Sequence, residues 1–162
     1  MKVLAIALAM SLAGCAGIDD VARLRQAQPR GSNFSETLAR EYRAYALRRS
    51  GAGNWPVAGH FATKGLAALA GQMPEPEPVD PDLPEAVQGE LTHGRVRLLD
   101  AMRRRAAERY PAFAAVALAR FDCWADRERA WIRCGEAQRC RQEFDENVTT
   151  IEEALSRAAG GT

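Results

Sequence analysis

The sequence has few histidines, few aromatic residues and few of the large aliphatic side chains that usually build a core. It contains two histidines and 7% aromatic residues, and Leu, Ile, Val and Phe together make up about 19% of its 162 residues. Its formal net charge of +1 argues against a dedicated nucleic-acid-binding protein, because such proteins are usually strongly basic. The same near-balance argues against disorder, which combines low hydrophobicity with high net charge.

Residues that favour helices are abundant instead. Alanine, arginine, glutamate and leucine are frequent, whereas the β-branched and aromatic residues that favour strands are scarce. We therefore predict an all-α protein of four or five helices arranged in hairpins. A chain of this length corresponds to one domain of ordinary size.

Motifs of catalysis are also missing from the sequence. It contains no glycine-rich phosphate loop, no G-x-S-x-G turn, no H-E-x-x-H and no C-x-x-C. His60 and His93 stand far from the cysteines, whose spacings match no zinc-finger pattern. We therefore expect neither an enzyme nor a cofactor or metal.

The first 14 residues have the pattern of a signal peptide. Lys2 precedes an apolar run over residues 3–12, which as a helix would rise only about 15 Å, half of a bilayer core. The run ends in Leu-Ala-Gly-Cys, with Cys15 as its last residue, and this resembles the lipobox of bacterial lipoproteins. The alternative is an ordinary secretory signal with an incidental cysteine.

The lipobox resemblance implies a membrane anchor. It implies diacylglycerol on the Cys15 thiol, cleavage after residue 14, and a fatty acid such as palmitate on the new amino terminus. Ala16 is not the aspartate that retains Gram-negative lipoproteins at the inner membrane, so the resemblance implies an outer-membrane lipoprotein facing the periplasm. The polar segment 15–32 is predicted to be a flexible tether.

Cysteine counting predicts one disulfide in the carboxy-terminal region. If Cys15 carries lipid, Cys123, Cys134 and Cys140 remain in an oxidising compartment. Cys123 and Cys140 lie symmetrically about a predicted turn near residues 131–135, so in an antiparallel hairpin they would face each other. A bridge there would stabilise the hairpin by about 3 kcal/mol in the chain-entropy model. Cys134 is either an unpaired turn cysteine, which we favour, or a reactive or intermolecular thiol.

Capping signals place the helical domain at residues 33–158. Asn33 followed by Glu36 resembles a capping box, and Asn54 with Pro56 predicts the start of a second helix, which Gly71 ends. The proline-rich segment 73–84 cannot be helical, and it is either a semi-rigid linker or a partner-binding sequence. A third helix starts near Pro84, Pro111 kinks it or begins the next, and residues 140–155 form the clearest amphipathic stripe.

One part of the sequence predicts a possible interaction surface. Its residues are Arg103, Arg104, Arg105, Arg109, Trp124 and Trp131. The arginines could contact phosphate, lipid headgroups or an acidic polymer. We favour the alternative, an ordinary solvated face, because three consecutive arginines fan around most of a helix.

Five short segments of the mature chain stand in a specific order. They are Leu38-Ala39-Arg40-Glu41-Tyr42, Phe61-Ala62-Thr63-Lys64-Gly65-Leu66, the Pro-Glu linker ending in Leu83-Pro84, Phe121-Asp122-Cys123-Trp124, and Cys140-Arg141 followed by Phe144. In these segments the chain resembles the N-terminal region of alphaproteobacterial OmpA-family outer-membrane lipoproteins. The resemblance does not extend to the family's C-terminal peptidoglycan-binding domain, of which this sequence has no motif.

The expected function is that of a non-catalytic envelope lipoprotein. The chain would be held to the membrane by its N-terminal lipid and would present a helical interaction or structural module to an envelope protein. The alternative is a cell-wall-associated protein that binds peptidoglycan through the arginine-rich helix. A lipid or small-molecule carrier is a third hypothesis, but the thin, alanine-rich core does not favour a deep pocket.

Overall fold

The computed structural model describes residues 17–27, 29, 33–130 and 135–160. Within them the chain is all-helical and forms no strand, which confirms the predicted fold class. The seven helices are α1 (17–27), α2 (Phe34–Gly51), α3 (Trp55–Leu69), α4 (Glu85–Arg103), α5 (Ala106–Arg109), α6 (Pro111–Glu128) and α7 (Glu136–Gly160). None of these helices has the length and apolar character needed to cross a membrane.

The helix boundaries follow the capping residues of the sequence. The side chain of Asn33 accepts a hydrogen bond from the Glu36 amide at 2.8 Å, and that of Asn54 accepts one from the Val57 amide at 3.3 Å. After α2 and α3 the chain turns at Gly53 (φ 77°) and Gly71 (φ 80°), where a side chain would be strained. Pro111 begins α6 rather than kinking the preceding helix.

The chain divides into two compact units, of which unit 1 comprises residues 1–31 and 39–74. Its core is built by the facing sides of α2 and α3, where the rings of Tyr45 and Phe61 meet edge to face at 4.7 Å. Tyr42 lies beside them, with its ring 5.9 Å from that of Phe61. These three side chains are all at least 97% buried and supply most of the large apolar surface of this unit.

Helix α1 lies where the sequence predicted a flexible tether, so that expectation is wrong for residues 17–27. Val21 and Leu24 are 3% and 1% exposed, and this burial orders the segment. The δ carbons of Leu24 fill the space where Gly65 of α3 lacks a side chain. The missed signal is short, since two apolar residues three positions apart define the whole buried face.

Unit 2 comprises residues 32–38 and 75–162, and its core is an aromatic cluster between α4, α6 and α7. The rings of Phe121, Trp124 and Phe144 lie 5.6 to 6.1 Å apart. Gly94 of α4 faces this cluster, and a Cβ atom there would stand 2.9 Å from the Trp124 ring. A glycine at this position therefore lets α4 pack directly on the aromatic rings.

The predicted Cys123–Cys140 disulfide joins α6 to α7, with the two Cα atoms 5.9 Å apart. Both cysteines are buried, and the bond lies in the antiparallel hairpin that the sequence predicted. Residues 131–134 of the predicted turn lie outside the described residues.

Arg97 ties α4 to α7 on the other side of unit 2. Its guanidinium donates two hydrogen bonds to the carboxylate of Glu152, at 2.7 and 2.9 Å, and a third to Asp145 at 2.9 Å. The hydrogen bond to Glu152 is the main cause that raises the pKa of Arg97. This forked geometry fixes the register of α4 against α7 more sharply than a single ion pair would.

Candidate interaction groove

A groove in unit 2 runs between the proline-rich segment and α4. Pro78 and Val79 form one wall, and Thr92, Arg95 and Val96 form the other. Its volume is about 320 Å³. We call it the α4 groove. The three α4 residues lie at positions i, i+3 and i+4, which places them on one face of the helix.

The proline-rich wall of the α4 groove is held by two side chains of the α6 region. Asp122, which is fully buried, accepts a hydrogen bond from the Glu77 amide at 2.8 Å. Arg129 donates to the Pro78 carbonyl oxygen at 2.9 Å and to the Glu77 carboxylate at 3.3 Å. The segment is therefore a docked strap and not a free spacer, and we refer to residues 75–84 as the strap. As predicted, the strap is not helical.

Arg95 gives the α4 groove its chemical character. The Nε atom of Arg95 is shielded from solvent, and no described residue accepts a hydrogen bond from it. Arg97, by contrast, is fully engaged by Glu152 and Asp145. A shielded guanidinium nitrogen without an acceptor costs about 1–3 kcal/mol.

The walls around Arg95 are mainly apolar. Val96 is 57% exposed and is among the most exposed large apolar side chains of the described chain. Pro78 and Val79 face it from the strap, whose prolines limit the freedom that a binding surface must otherwise lose. A guanidinium between apolar walls favours a ligand with a carboxylate next to apolar groups, because the guanidinium fork matches a carboxylate in a bidentate geometry.

Three of the predicted surface arginines have acidic neighbours. Arg103 and Arg104 both approach Asp100, at 3.1 and 3.8 Å. Arg105, which has a left-handed backbone (φ 65°) between α4 and α5, donates to Glu108. That hydrogen bond lowers the pKa of the Glu108 carboxyl. Two carboxylates therefore offset two of these three positive charges, which weakens the attraction of this segment for an anionic polymer.

Arg109 lies over a tyrosine ring instead. Its guanidinium carbon is 5.5 Å from the centre of the Tyr110 ring, a cation–π contact at an exposed site.

Trp124 does not belong to a surface, and this part of the sequence prediction is wrong. The side chain is 2% exposed, its ring packs on Phe121 and Phe144, and its indole nitrogen donates to Glu128 at 3.2 Å. Trp124 comes directly after the buried Cys123, and its ring lies on the side of α6 that packs in the core. Trp131, Cys134 and the lipidation candidate Cys15 lie outside the described residues.

The sequence pointed to the wrong arginines for a binding site. Arg95 counted only as one of many basic residues in the third helix, and its distinguishing property is a shielded Nε atom without an acceptor among the described residues. The only local signal is the spacing, since Arg95 and Arg97 are two residues apart and must lie on different faces of α4. The strap side of the groove has no local signal, because Asp122 is 45 residues from its partner Glu77.

Within the described part of the chain, no three His, Cys, Asp or Glu side chains are grouped so that they could hold a metal ion. No family model, no curated protein and no solved structure matches the chain.

Proposed function

We propose that the protein is a non-catalytic, lipid-anchored lipoprotein of the bacterial cell envelope whose helical module binds a partner protein through the α4 groove. Cys15 would carry the lipid, and the module would face the periplasm at the outer membrane. The observation that carries the binding proposal is Arg95, a guanidinium that has no acceptor among the described residues and lies between apolar walls.

Two features support an envelope location. The lipobox-like sequence ends at Cys15, and the Cys123–Cys140 disulfide is of a kind that persists in oxidising compartments such as the periplasm. The resemblance to the N-terminal region of OmpA-family lipoproteins supports the same compartment.

The occupant that fits the α4 groove is an extended acidic segment of an envelope protein. A carboxylate of that segment would accept hydrogen bonds from Arg95, and neighbouring apolar side chains would pack on Val96 and on the strap. Peptidoglycan is the alternative ligand, since its peptide stems also carry carboxylates. We favour it less than a protein partner, because Asp100 and Glu108 offset two of the three positive charges at residues 103–105.

Site-specific photocrosslinking in intact cells tests this proposal. A benzophenone amino acid at Val96 is expected to capture a protein, and the crosslinked peptide should contain Asp or Glu. The same probe at Phe113, which is 45% exposed in the same unit but not part of the groove, is the matched control. The Arg95→Gln substitution should abolish capture, whereas Arg103→Gln on the same helix should leave it unchanged.

Three outcomes would contradict parts of the proposal. Equal capture from positions 96 and 113 would show that the groove is not selective. Muropeptides captured at position 96 without a protein would replace the protein partner by the cell wall. A Cys15→Ala variant that stays in the membrane fraction like the wild type would remove the lipid anchor from the proposal.

A further inference from the structure

Unit 1 has one end at which the amino termini of two helices stand side by side. Along α1 and α3, the contacts advance in the same direction. Gly17 approaches Gly59, and Asp20 accepts a hydrogen bond from the Thr63 hydroxyl at 2.8 Å. Farther along both helices, Leu24 packs on Gly65. The two helices are therefore parallel, and both begin at the same end of the unit.

The close approach at Gly59 fixes this end of α1. A Cβ atom on Gly59 would stand 2.7 Å from the Cα atom of Gly17, so the backbones touch at a point where only glycine fits. Trp55, the first residue of α3, lies one helical turn before Gly59, about 6 Å along the axis. Gly17, the first described residue of α1, thus lies about one helical turn from the level of Trp55.

The anchor residue of the proposed function is two positions from this contact. Two residues span at most about 7 Å, so Cys15 cannot be farther than that from Gly17. Acyl chains on Cys15 must enter the bilayer, and the shared end of α1 and α3 must then lie at the membrane surface.

Exposed apolar side chains are present at this same end. Ile18 is 50% exposed on the first described turn of α1, and Trp55 is 43% exposed at the start of α3. Tryptophan is the residue best suited to the headgroup region, since its ring is apolar and its indole N–H remains hydrogen-bonded.

We propose that this end of unit 1 is a membrane-docking surface, in which Trp55 and Ile18 enter the headgroup layer of the bilayer that holds the lipid anchor. The inference rests on the proposed acylation of Cys15 and extends it, because the lipid alone would let the unit point in any direction. Docking by Trp55 and Ile18 gives the unit one orientation, with the amino ends of α1 and α3 toward the membrane.

Fluorescence quenching by brominated lipids tests this inference. The full-length acylated protein is purified from membranes in detergent and bound to vesicles of phosphatidylethanolamine and phosphatidylglycerol that contain a bromolipid. Comparison with the Trp55→Phe variant isolates the emission of Trp55 from that of the other tryptophans. The matched control is Trp55→Phe combined with Met73→Trp, because Met73 is 52% exposed and follows the far end of α3, about 20 Å away.

The expected result is loss of the Trp55 emission in bromolipid vesicles and unchanged emission from a tryptophan at position 73. The loss should persist at high salt, because the contact is apolar. Flotation of the vesicles tests the lipid anchor separately from the docking surface. A protein that floats without quenching at position 55, or with equal quenching at both positions, overturns the docking surface and leaves the anchor standing. A protein that does not float overturns the anchor and the docking surface together.

Discussion

The two units solve the same problem, an alanine-rich chain with few large aliphatic residues, in different ways. Unit 1 brings helix backbones into direct contact at Gly17 and Gly59, so that small residues provide close packing. Both units also place three aromatic rings in the core, but unit 2 adds the disulfide between α6 and α7. A low content of large aliphatic side chains is therefore compatible with a small aromatic core that is reinforced either by close helix contact or by a covalent bond.

Removing the disulfide is expected to have the largest effect on this comparison. The double substitution Cys123→Ala and Cys140→Ala should lower the stability of unit 2 by about 3 kcal/mol, since a loop of this length gains that much chain entropy on unfolding. Hydrogen exchange followed by mass spectrometry should show the loss of protection in α4, α6 and α7, with α3 unchanged. The reference protein carries Cys134→Ala to prevent thiol exchange. An equal loss of protection in both units would show that the effect of the disulfide is not confined to unit 2.

Loosening the strap should have an intermediate effect. Asp122→Leu leaves the Glu77 amide without its acceptor in a buried position, which costs about 1–3 kcal/mol. Urea denaturation measures the loss, and limited proteolysis should show new cleavage within residues 75–84. Asp122→Asn is the control, because its side-chain oxygen still accepts the hydrogen bond. If leucine and asparagine behave alike, the strap is not held by this contact.

Adding single methyl groups at glycines gives the smallest and most specific test. Gly59→Ala should destabilise unit 1 more than Gly94→Ala destabilises unit 2, because the obstacle is backbone in the first case and an aromatic ring in the second. Overpacking of this kind costs about 1–3 kcal/mol and is partly offset by a gain in helix propensity.

The control for both glycines is Gly89→Ala in α4, where a Cβ atom meets nothing within 4 Å. This substitution should stabilise the protein by about 0.5–1 kcal/mol. The three variants are compared by thermal or urea denaturation in the same buffer. Destabilisation by Gly89→Ala would show that free space around the Cβ atom does not predict the effect of these substitutions.

Most of the fold could be predicted because the helix ends are marked locally. Asn33, Asn54, Gly71 and Pro111 lie at the predicted boundaries, and the spacing of two cysteines about a turn predicted the disulfide. Helix α1 could not be predicted in the same way. Its order depends on glycines of α3 that are about 40 residues away and carry no side chain to produce a pattern.

The α4 groove could not be predicted, for a similar reason. Its two walls are joined through Asp122 and Arg129, which hold the strap from a distant part of the chain. The density of arginines in the sequence drew attention to residues 103–105, whereas the structure distinguishes Arg95 by a shielded Nε atom that has no acceptor among the described residues. Counting charge of one sign does not find such a residue, because the pairing of each charge depends on tertiary contacts.

The early start of α1 leaves almost no slack between residue 15 and the folded chain. If Cys15 carries the proposed lipid, the protein works within a thin layer next to its membrane, whereas a lipoprotein with a long tether can search a deep layer of the periplasm. A flexible Gly/Ser insert of about 16 residues ahead of Gly17 would add a root-mean-square reach of about 22 Å. A series of such inserts would measure a distance, because the insert length at which partner binding fails gives the height of the partner above the bilayer.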